Sequence, residues 1–278
     1  MNAAVSTDGG FATLGPAASE LLDLLDDTFM GWARRLGAQP MTMPPLLSVD
    51  KLAKLDFYKN FPQLALVAST IDPEQTVAAG GEFFPPEALG AAGLALPSTV
   101  CYPVYWHFAG TRLPESTRVT VQGLCFRNED HYDGLRRLMA FRMREVIALG
   151  SLEYTQEHLE QFAELIERFA AELNLPLVKH AATDPFFDKE GPRALLQKLV
   201  PVKHEFLFEG TAIASVNLHR NFFGERCDIR YGEDAQVAYT SCVGFGYERW
   251  LHALSQHFDN DWESIIKTVG VARNRVTG

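Results

Sequence analysis

Leu22, Leu25, Phe29, Trp32 and Leu36 recur at alternating spacings of three and four, and Gly37 follows at once. That period puts the five side chains on one stripe of an amphipathic helix, and the glycine supplies a stop. Immediately beyond stand Pro40, Pro44 and Pro45. Proline has no backbone donor, so this segment neither continues the helix nor enters the middle of a sheet. It is predicted to run extended at a sheet edge or an interface. A long helix feeding a proline-bearing strand thus fixes how the fold begins. Residues 1–15 are small and polar, and with Gly9 and Gly10 among them they read as a disordered tail. Residues 16–278 are then one domain.

Further along, the apolar pattern predicts strands over 119–126 and 138–147, with the polar residues 130–134 as the loop between them. Thr155 reads as the cap of a helix whose Leu159, Phe162, Ile166, Phe169 and Leu173 face a core. Strands are expected near 177–180, 203–209, 211–219 and 235–241. Short and final helices are expected near 193–199 and from about Gly246. Residues 71–98, rich in Gly, Ala and Pro, read as loop with one short helix. The order of elements gives an α+β domain on a mainly antiparallel sheet flanked by helices.

Composition bears on partners. The 278 residues carry 25 Lys and Arg against 35 Asp and Glu, a net charge of −10, with no basic run or arm. Such a chain repels a polyanion, which argues against tRNA or DNA as a partner. No stretch approaches the apolar length of a membrane span, and the N-terminus lacks a signal-peptide pattern, so a cytoplasmic location without membrane contact is expected. Cys101, Cys125, Cys227 and Cys242 are too sparse for a disulfide scaffold. They are buried thiols or ligands. Cys125 is read as core, facing away from Glu129, and the eight histidines, which show no ligand spacing, are read as structural.

Three segments carry side chains suited to chemistry. Arg127 and Glu129 are two apart, so on a strand they share a face; they form a surface ion pair or a grip on a ligand. Gly244 and Gly246 stand at a strand-to-helix turn, where backbone approaches a ligand closely and Arg249 reaches it from the first helical turn. Phe141 is a core aromatic or a stacking surface for a base. Cys101, Glu145 and Cys242 are of the right types for a zinc ion, with one coordination position left open, although no local spacing links them.

In their order, these segments resemble the three motifs of the class II aminoacyl-tRNA synthetases, across roughly residues 20–257. The first helix with Pro40 and Pro44 resembles motif 1, the dimer interface. Phe126 through Glu145 resembles motif 2, and Gly244 through Arg249 resembles motif 3. The stretch Leu96–Pro103 is similar to the Thr-x-Glu loop of seryl-tRNA synthetases, with Cys101 in place of its glutamate, and Arg137–Phe141 to the strand after the motif 2 loop. That replacement looks like the atypical methanogen-type seryl enzymes, in which two cysteines and a glutamate hold zinc; Cys101, Glu145 and Cys242 match those ligands by position. No counterpart of the seryl enzymes' tRNA-gripping N-terminal domain is expected, since the residues resembling motif 1 follow a short tail. With that departure, the chain resembles the amino acid:[carrier protein] ligases, truncated relatives of the atypical seryl enzymes. Residues 182–187 and 214–217 are also similar to that group.

The resemblance implies activation of a small amino acid, glycine or alanine, by ATP and transfer to the phosphopantetheine thiol of an acyl carrier protein by a homodimer. It implies Arg127 at the α-phosphate, Glu129 at the adenine amine or in loop closure, Phe141 stacked on adenine, and Arg249 at the γ-phosphate and the ring's other face. It implies Zn2+ reading the amino group, and Mg2+ with ATP, for which Glu225 or Asp228 is a candidate ligand. Arg193, Leu196 and Lys198 on the short helix are the candidate docking surface for the carrier; an ordinary core helix is the competing reading. The alternative functions are a seryl-tRNA synthetase-like enzyme and a non-catalytic, regulatory synthetase paralogue.

Overall fold

The computed structural model describes residues 4–73 and 84–277; the side chains of Pro192, Arg193 and Thr277 lie outside the description. Strands β1 (Val5–Asp8) and β2 (Phe11–Leu14) pair antiparallel. Between them Gly9 and Gly10 have φ of 53° and 86°. A two-residue connection with both central residues left-handed matches the twist of its strands, so the glycines make a hairpin. The expected disordered tail is corrected over residues 5–14. Val5, Ala12 and Leu14 pack on the main core, and Gly10 O accepts from Met139 N at 2.8 Å.

Helix α1 (Pro16–Arg35) starts with proline at its first turn and buries Leu21, Leu25, Phe29 and Trp32. Gly37, at φ 80°, ends it, and Ala38 N closes onto Ala33 O at 2.9 Å. Strand β3 (Gln39–Met41) then pairs in parallel at the edge of the main sheet, where Pro40 needs no donor on its outer side.

A small lobe follows: β4 (Leu47–Ser48), α2 (Val49–Lys54), α3 (Phe57–Asn60), β5 (Leu66–Ala68) and β6 (Leu94–Leu96), around Leu47, Leu52, Phe57 and Leu64. Residues 71–98 thus carry a strand and a single turn of 3-10 helix at Pro86–Ala88. Residues 74–83 of that stretch lie outside the described residues. Then come α4 (Tyr102–His107), β7 (Arg112–Leu113), β8 (Thr117–Phe126), β9 (Ala140–Gly150) and α5 (Leu152–Glu172). Ser151 caps α5, accepting from Tyr154 N at 3.1 Å. Thr155, the expected cap, is buried one turn in and donates to Leu152 O at 2.7 Å.

The remainder is β10 (Val178–Ala182), α6 (Pro192–Leu199), β11 (Lys203–Phe208), β12 (Thr211–Arg220), α7 (Phe222–Cys227), β13 (Arg230–Tyr231), β14 (Gln236–Val237), β15 (Tyr239–Gly246), α8 (Tyr247–His257) and α9 (Trp262–Thr277). The last helix was not anticipated. It packs on α1 and α5, and Arg35 donates to Val276 O at 3.2 Å. Among the described residues, no helix is long and apolar enough to cross a membrane.

Seven strands form the main sheet in the order β10-β11-β12-β15-β9-β8-β3, antiparallel except for β3. Strand alternation assigns its two faces. Val146, Val216, Val243 and Phe245 point into the core built with α1, α5, α8 and α9. Arg144, of the same parity, donates to Asp26 of α1 at 2.7 Å, and Tyr247 of α8 donates to the same carboxylate. Glu145, Cys242, Ser215 and Asn217 point the other way. The register places Glu145 beside Gly244, Gly244 beside Ser215, and Cys242 beside Asn217.

Candidate active site

On that second face two cavities adjoin. The smaller, about 90 Å3, is lined by Arg127, Glu129, Phe141, Glu205, Glu248 and Arg249 among others. The larger, about 350 Å3, has Thr99, Cys101, Glu145, Asn217, His219 and Cys242 in its lining. Arg127, Met143, Lys203, Ser215 and Gly244 belong to both, so they mark the junction. A Cβ at Gly244 would stand 3.0 Å from Met143 Cε and 3.3 Å from Ser215 Oγ. Glycine there keeps the passage open.

The smaller cavity collects the motif 2 and motif 3 residues. Arg127 and Glu129 lie just past the end of β8 rather than within it, and Arg127 N still bonds Met139 O at 2.9 Å, which carries the strand direction onward. The Arg127 guanidinium lies 4.9 Å from the Phe141 ring centroid and donates to Ser98 O at 3.2 Å. Glu129 pairs with Arg137 at 2.9 Å. Arg249 leaves the first turn of α8 and donates to Arg136 O at 2.9 Å and Ala212 O at 3.1 Å. Burial, and then repulsion from Arg127, hold the Arg249 guanidinium down to about 10, which leaves it cationic at neutral pH. The result is a socket whose wall carries Arg127, Arg136 and Arg249 and the aromatic face of Phe141. Such a socket suits a polyphosphate joined to a planar base.

At the floor of the larger cavity, one donor atom each from Cys101, Glu145 and Cys242 lie within 4.8 Å of one another, all three residues buried. The fold brings them there from three places: the turn before α4, mid β9 and mid β15. Thr99 donates to Glu145 Oε1 and lies 3.5 Å from Cys101 Sγ. Glu145 Oε2 is buried and, among the described residues, has no hydrogen-bond partner.

Protons here are shared under strain. Burial, the Cys242 sulfur and the Glu145 charge all push the Cys101 thiol well up. A hydrogen bond from Cys101, with help from His219, holds Cys242 well down despite its burial. Burial and the negative Cys242 raise Glu145 to about 8. Three acidic groups crowded out of water, with one carboxylate oxygen orphaned, are what a divalent cation would satisfy. Two thiolates and a carboxylate are zinc donors, and three protein ligands leave a position open.

Several neighbours escaped the sequence reading. His219, read as structural, brings Nε2 to 3.5 Å from Cys242 Sγ, while Nδ1 is 3.2 Å from the Tyr105 hydroxyl and 3.3 Å from that of Thr240. Its alternation with Ser215 and Asn217 along β12 was the available signal. Lys203, at the junction, pairs with Asp184 at 3.2 Å and Glu205 at 3.1 Å. Cys125 is core as expected, but it lies on the same strand face as the site, opposite Phe141 and beneath Val100 and Val104.

Glu225 and Asp228 reach neither cavity: Glu225 accepts from Asn221 at 2.7 Å, and Asp228 pairs with Arg230 at 2.8 Å on the surface. Helix α6 is no core helix, since Leu196 is 51% exposed and Leu199 80%. Leu196 lines the larger cavity, and Lys198 pairs with Glu190 at 3.6 Å. The Arg193 side chain falls outside the described residues.

Comparison with known proteins fits this geometry. The chain is 31% identical over 259 residues to amino acid–[acyl-carrier-protein] ligase 1 of Bradyrhizobium diazoefficiens, covering 85% of this chain and 77% of that one. It is 32% identical over 241 residues to ligase 2 of the same organism, covering 80% and 70%. A type-2 serine–tRNA ligase of Methanococcus maripaludis is 31% identical over 49% of this chain and 29% of its own. Among solved structures, M. kandleri seryl-tRNA synthetase, crystallised in complex with A. aeolicus tRNASec, superposes with a TM-score of 0.78 at 21% identity, covering 90% of this chain and 54% of that one. The Naegleria fowleri cytoplasmic serine–tRNA ligase, in complex with AMP, gives 0.71 at 13% identity, covering 94% and 55%. No family model matches the chain.

The antiparallel sheet flanked by helices is therefore that of the class II aminoacyl-tRNA synthetases. Within that class, this chain belongs to the amino acid–[acyl-carrier-protein] ligases.

Proposed function

We propose that this enzyme activates a small amino acid, glycine or alanine, with ATP and passes it to the phosphopantetheine thiol of an acyl carrier protein. The observation that carries the reading is the buried cluster of Cys101, Glu145 and Cys242 at the floor of a cavity that opens onto the arginine-lined one. In the first half-reaction the amino acid carboxylate attacks the α-phosphorus of ATP and pyrophosphate leaves. Arg127, at the junction, faces the charge that develops there, and Arg249 holds the outer phosphates while Phe141 meets the base. This is catalysis by positioning and charge compensation.

Cys101, Glu145 and Cys242 are the residues that would hold Zn2+, which when bound supplies a fourth coordination position for a neutral α-amine. Support for a small substrate comes from the wall beside Cys242, where His219 stands edge-on to Phe223 at 4.9 Å and Phe223 stacks on Tyr105 at 3.9 Å. The carboxylates lining the smaller cavity are Glu129, Glu205 and Glu248, each in an ion pair with a protein cation, and one of them would exchange that partner for the Mg2+ accompanying ATP.

In the second half-reaction the carrier thiol's sulfur attacks the aminoacyl carbonyl carbon. The bond to AMP breaks, AMP leaves with the electron pair, and the thiol proton passes to solvent. A thiol is a competent nucleophile near neutral pH, so no strong base is required of the site. Exposed Leu196 and Lys198 on α6, at the edge of the larger cavity, with Arg193 in the same helix, form the docking surface in this reading. Two chains assemble through the α1 and β3 region.

The test is amino-acid-dependent exchange of labelled pyrophosphate into ATP, followed by mass analysis of a phosphopantetheinylated carrier. Exchange with glycine or alanine and a matching mass increase are expected. Exchange with serine and charging of total tRNA instead would favour a seryl-tRNA synthetase-like enzyme, and no exchange with any amino acid would sink the ligase reading.

A further inference from the structure

The larger cavity has a rim as well as a floor. Among the residues lining it, Pro185, Leu196, Val200 and Arg220 are exposed, whereas Cys101, Glu145 and Cys242 are buried. Three of these rim residues are apolar and Arg220 is cationic. Among the described residues, the Arg220 side chain has no ion pair or hydrogen bond. It is an unspent charge at the entrance.

Strand alternation alone would not put it there. Ser215, Asn217 and His219 of β12 line the cavity, and Leu218 joins them at the end of the strand where the alternation is lost, while Ala214 and Val216 point into the core on the other face. Arg220 has the parity of the second set. The pairing of β12 with β15 slips between Leu218 and Arg220, and Arg220 itself is left-handed at φ 56°. Together the slip and the turn bring its side chain round to the cavity. Left-handed backbone is uncommon outside glycine and costs free energy, so its use to redirect one charged side chain points to a ligand.

We propose that Arg220 binds the phosphodiester of the carrier's phosphopantetheine arm at the entrance through which the thiol descends, an inference that rests on the ligase reading above. The arm is a thin chain with its phosphate at the carrier end, a dimethyl group next to it and the thiol at the far end. Apolar Leu196 and Val200 beside one free guanidinium suit the first two features, since the planar fork of arginine matches phosphate oxygens. The thiol must travel inward to the junction of the cavities, where the aminoacyl carbonyl lies. The phosphate then stays at the rim.

Transfer kinetics with three acceptors test this: the phosphopantetheinylated carrier, free phosphopantetheine, and pantetheine, which lacks the phosphate. The wild type should show a KM for phosphopantetheine roughly three- to fivefold below that for pantetheine, the scale of an exposed charge pair. Added salt should shrink the ratio. Arg220→Gly, which accepts the left-handed backbone while removing the cation, should bring the ratio to about one, and Arg220→Lys should keep part of it. A ratio unchanged in Arg220→Gly, or no preference in the wild type, would overturn the proposal. So would a rise in KM for the whole carrier alone, since that would assign Arg220 to acidic groups on the carrier surface. Failure of amino-acid-dependent pyrophosphate exchange in the wild type is a separate result, which would remove the ligase reading and this proposal with it.

Discussion

In the smaller cavity each charged lining residue already has a protein partner, whereas in the larger one the acidic cluster has chiefly itself. Arg249 is tied to two backbone carbonyls, Glu129 to Arg137 and Glu248 to Arg142. Cys101, Glu145 and Cys242 have hydrogen-bonding help from Thr99 and His219, and among the described residues Glu145 Oε2 has no partner. The contrast teaches which ligand the fold depends on. In the proposed reading, a site with paired charges can wait for its nucleotide, whereas a cluster of buried acids needs a cation to be at rest.

Substitutions on the two sides should therefore separate cleanly. Cys242→Ala is expected to have the largest effect: loss of bound zinc by elemental analysis, together with a fall of at least about 100-fold in amino-acid-dependent exchange, beyond what outer-shell changes cost at metal sites. Arg249→Ala should also lower exchange, by about 100-fold, the scale of removing one preorganised donor from a transferring group. Its zinc content should stay at the wild-type level. Zinc lost from Arg249→Ala would erase the distinction between the two cavities.

Smaller effects sharpen the comparison. Phe141→Ala should raise KM for ATP by about three- to tenfold, the worth of one aromatic contact, and leave KM for the amino acid nearly unchanged. A change mainly in the amino acid's KM would move Phe141 to the wrong side of the junction.

The smallest expected effect is on stability. Glu145 has its ordinary value of 4.5 raised to about 8 by burial and Cys242. Between those values the metal-free folded state holds a proton that the unfolded chain has released, so its stability falls as pH rises through that window. Metal binding requires the ionised carboxylate, so the gain in melting temperature on adding zinc should grow from pH 6 to pH 8. An increment independent of pH would show that Glu145 keeps its proton when zinc is bound.

What could be read from the sequence divides along physical lines. The α1 stripe, its Gly37 stop and the Pro40 edge strand were legible because each depends on residues close in the chain. The hairpin over residues 5–14 was not, although its Gly9-Gly10 turn was in view: packing of Val5 and Leu14 on a distant core decides it. Helix α9 was missed for a similar reason, since its register is set by α1 and α5.

In the site, Cys101, Glu145 and Cys242 come from segments with no common spacing; residue type and resemblance suggested them, and the register of β9 with β15 and the turn before α4 bring them together. His219 and Lys203 carried no motif. Arg220 could not have been assigned to the cavity at all, because it gets there by breaking the alternation that sequence reading relies on.

The central claim is that the buried cluster is a zinc site that meets the amino acid. X-ray absorption at the zinc edge, on purified enzyme with and without glycine, tests it most directly. The account predicts one zinc per chain with two sulfur neighbours at about 2.3 Å and a light-atom shell that changes when glycine is added. Zinc absent, zinc without sulfur in its shell, or a spectrum indifferent to every small amino acid would contradict it.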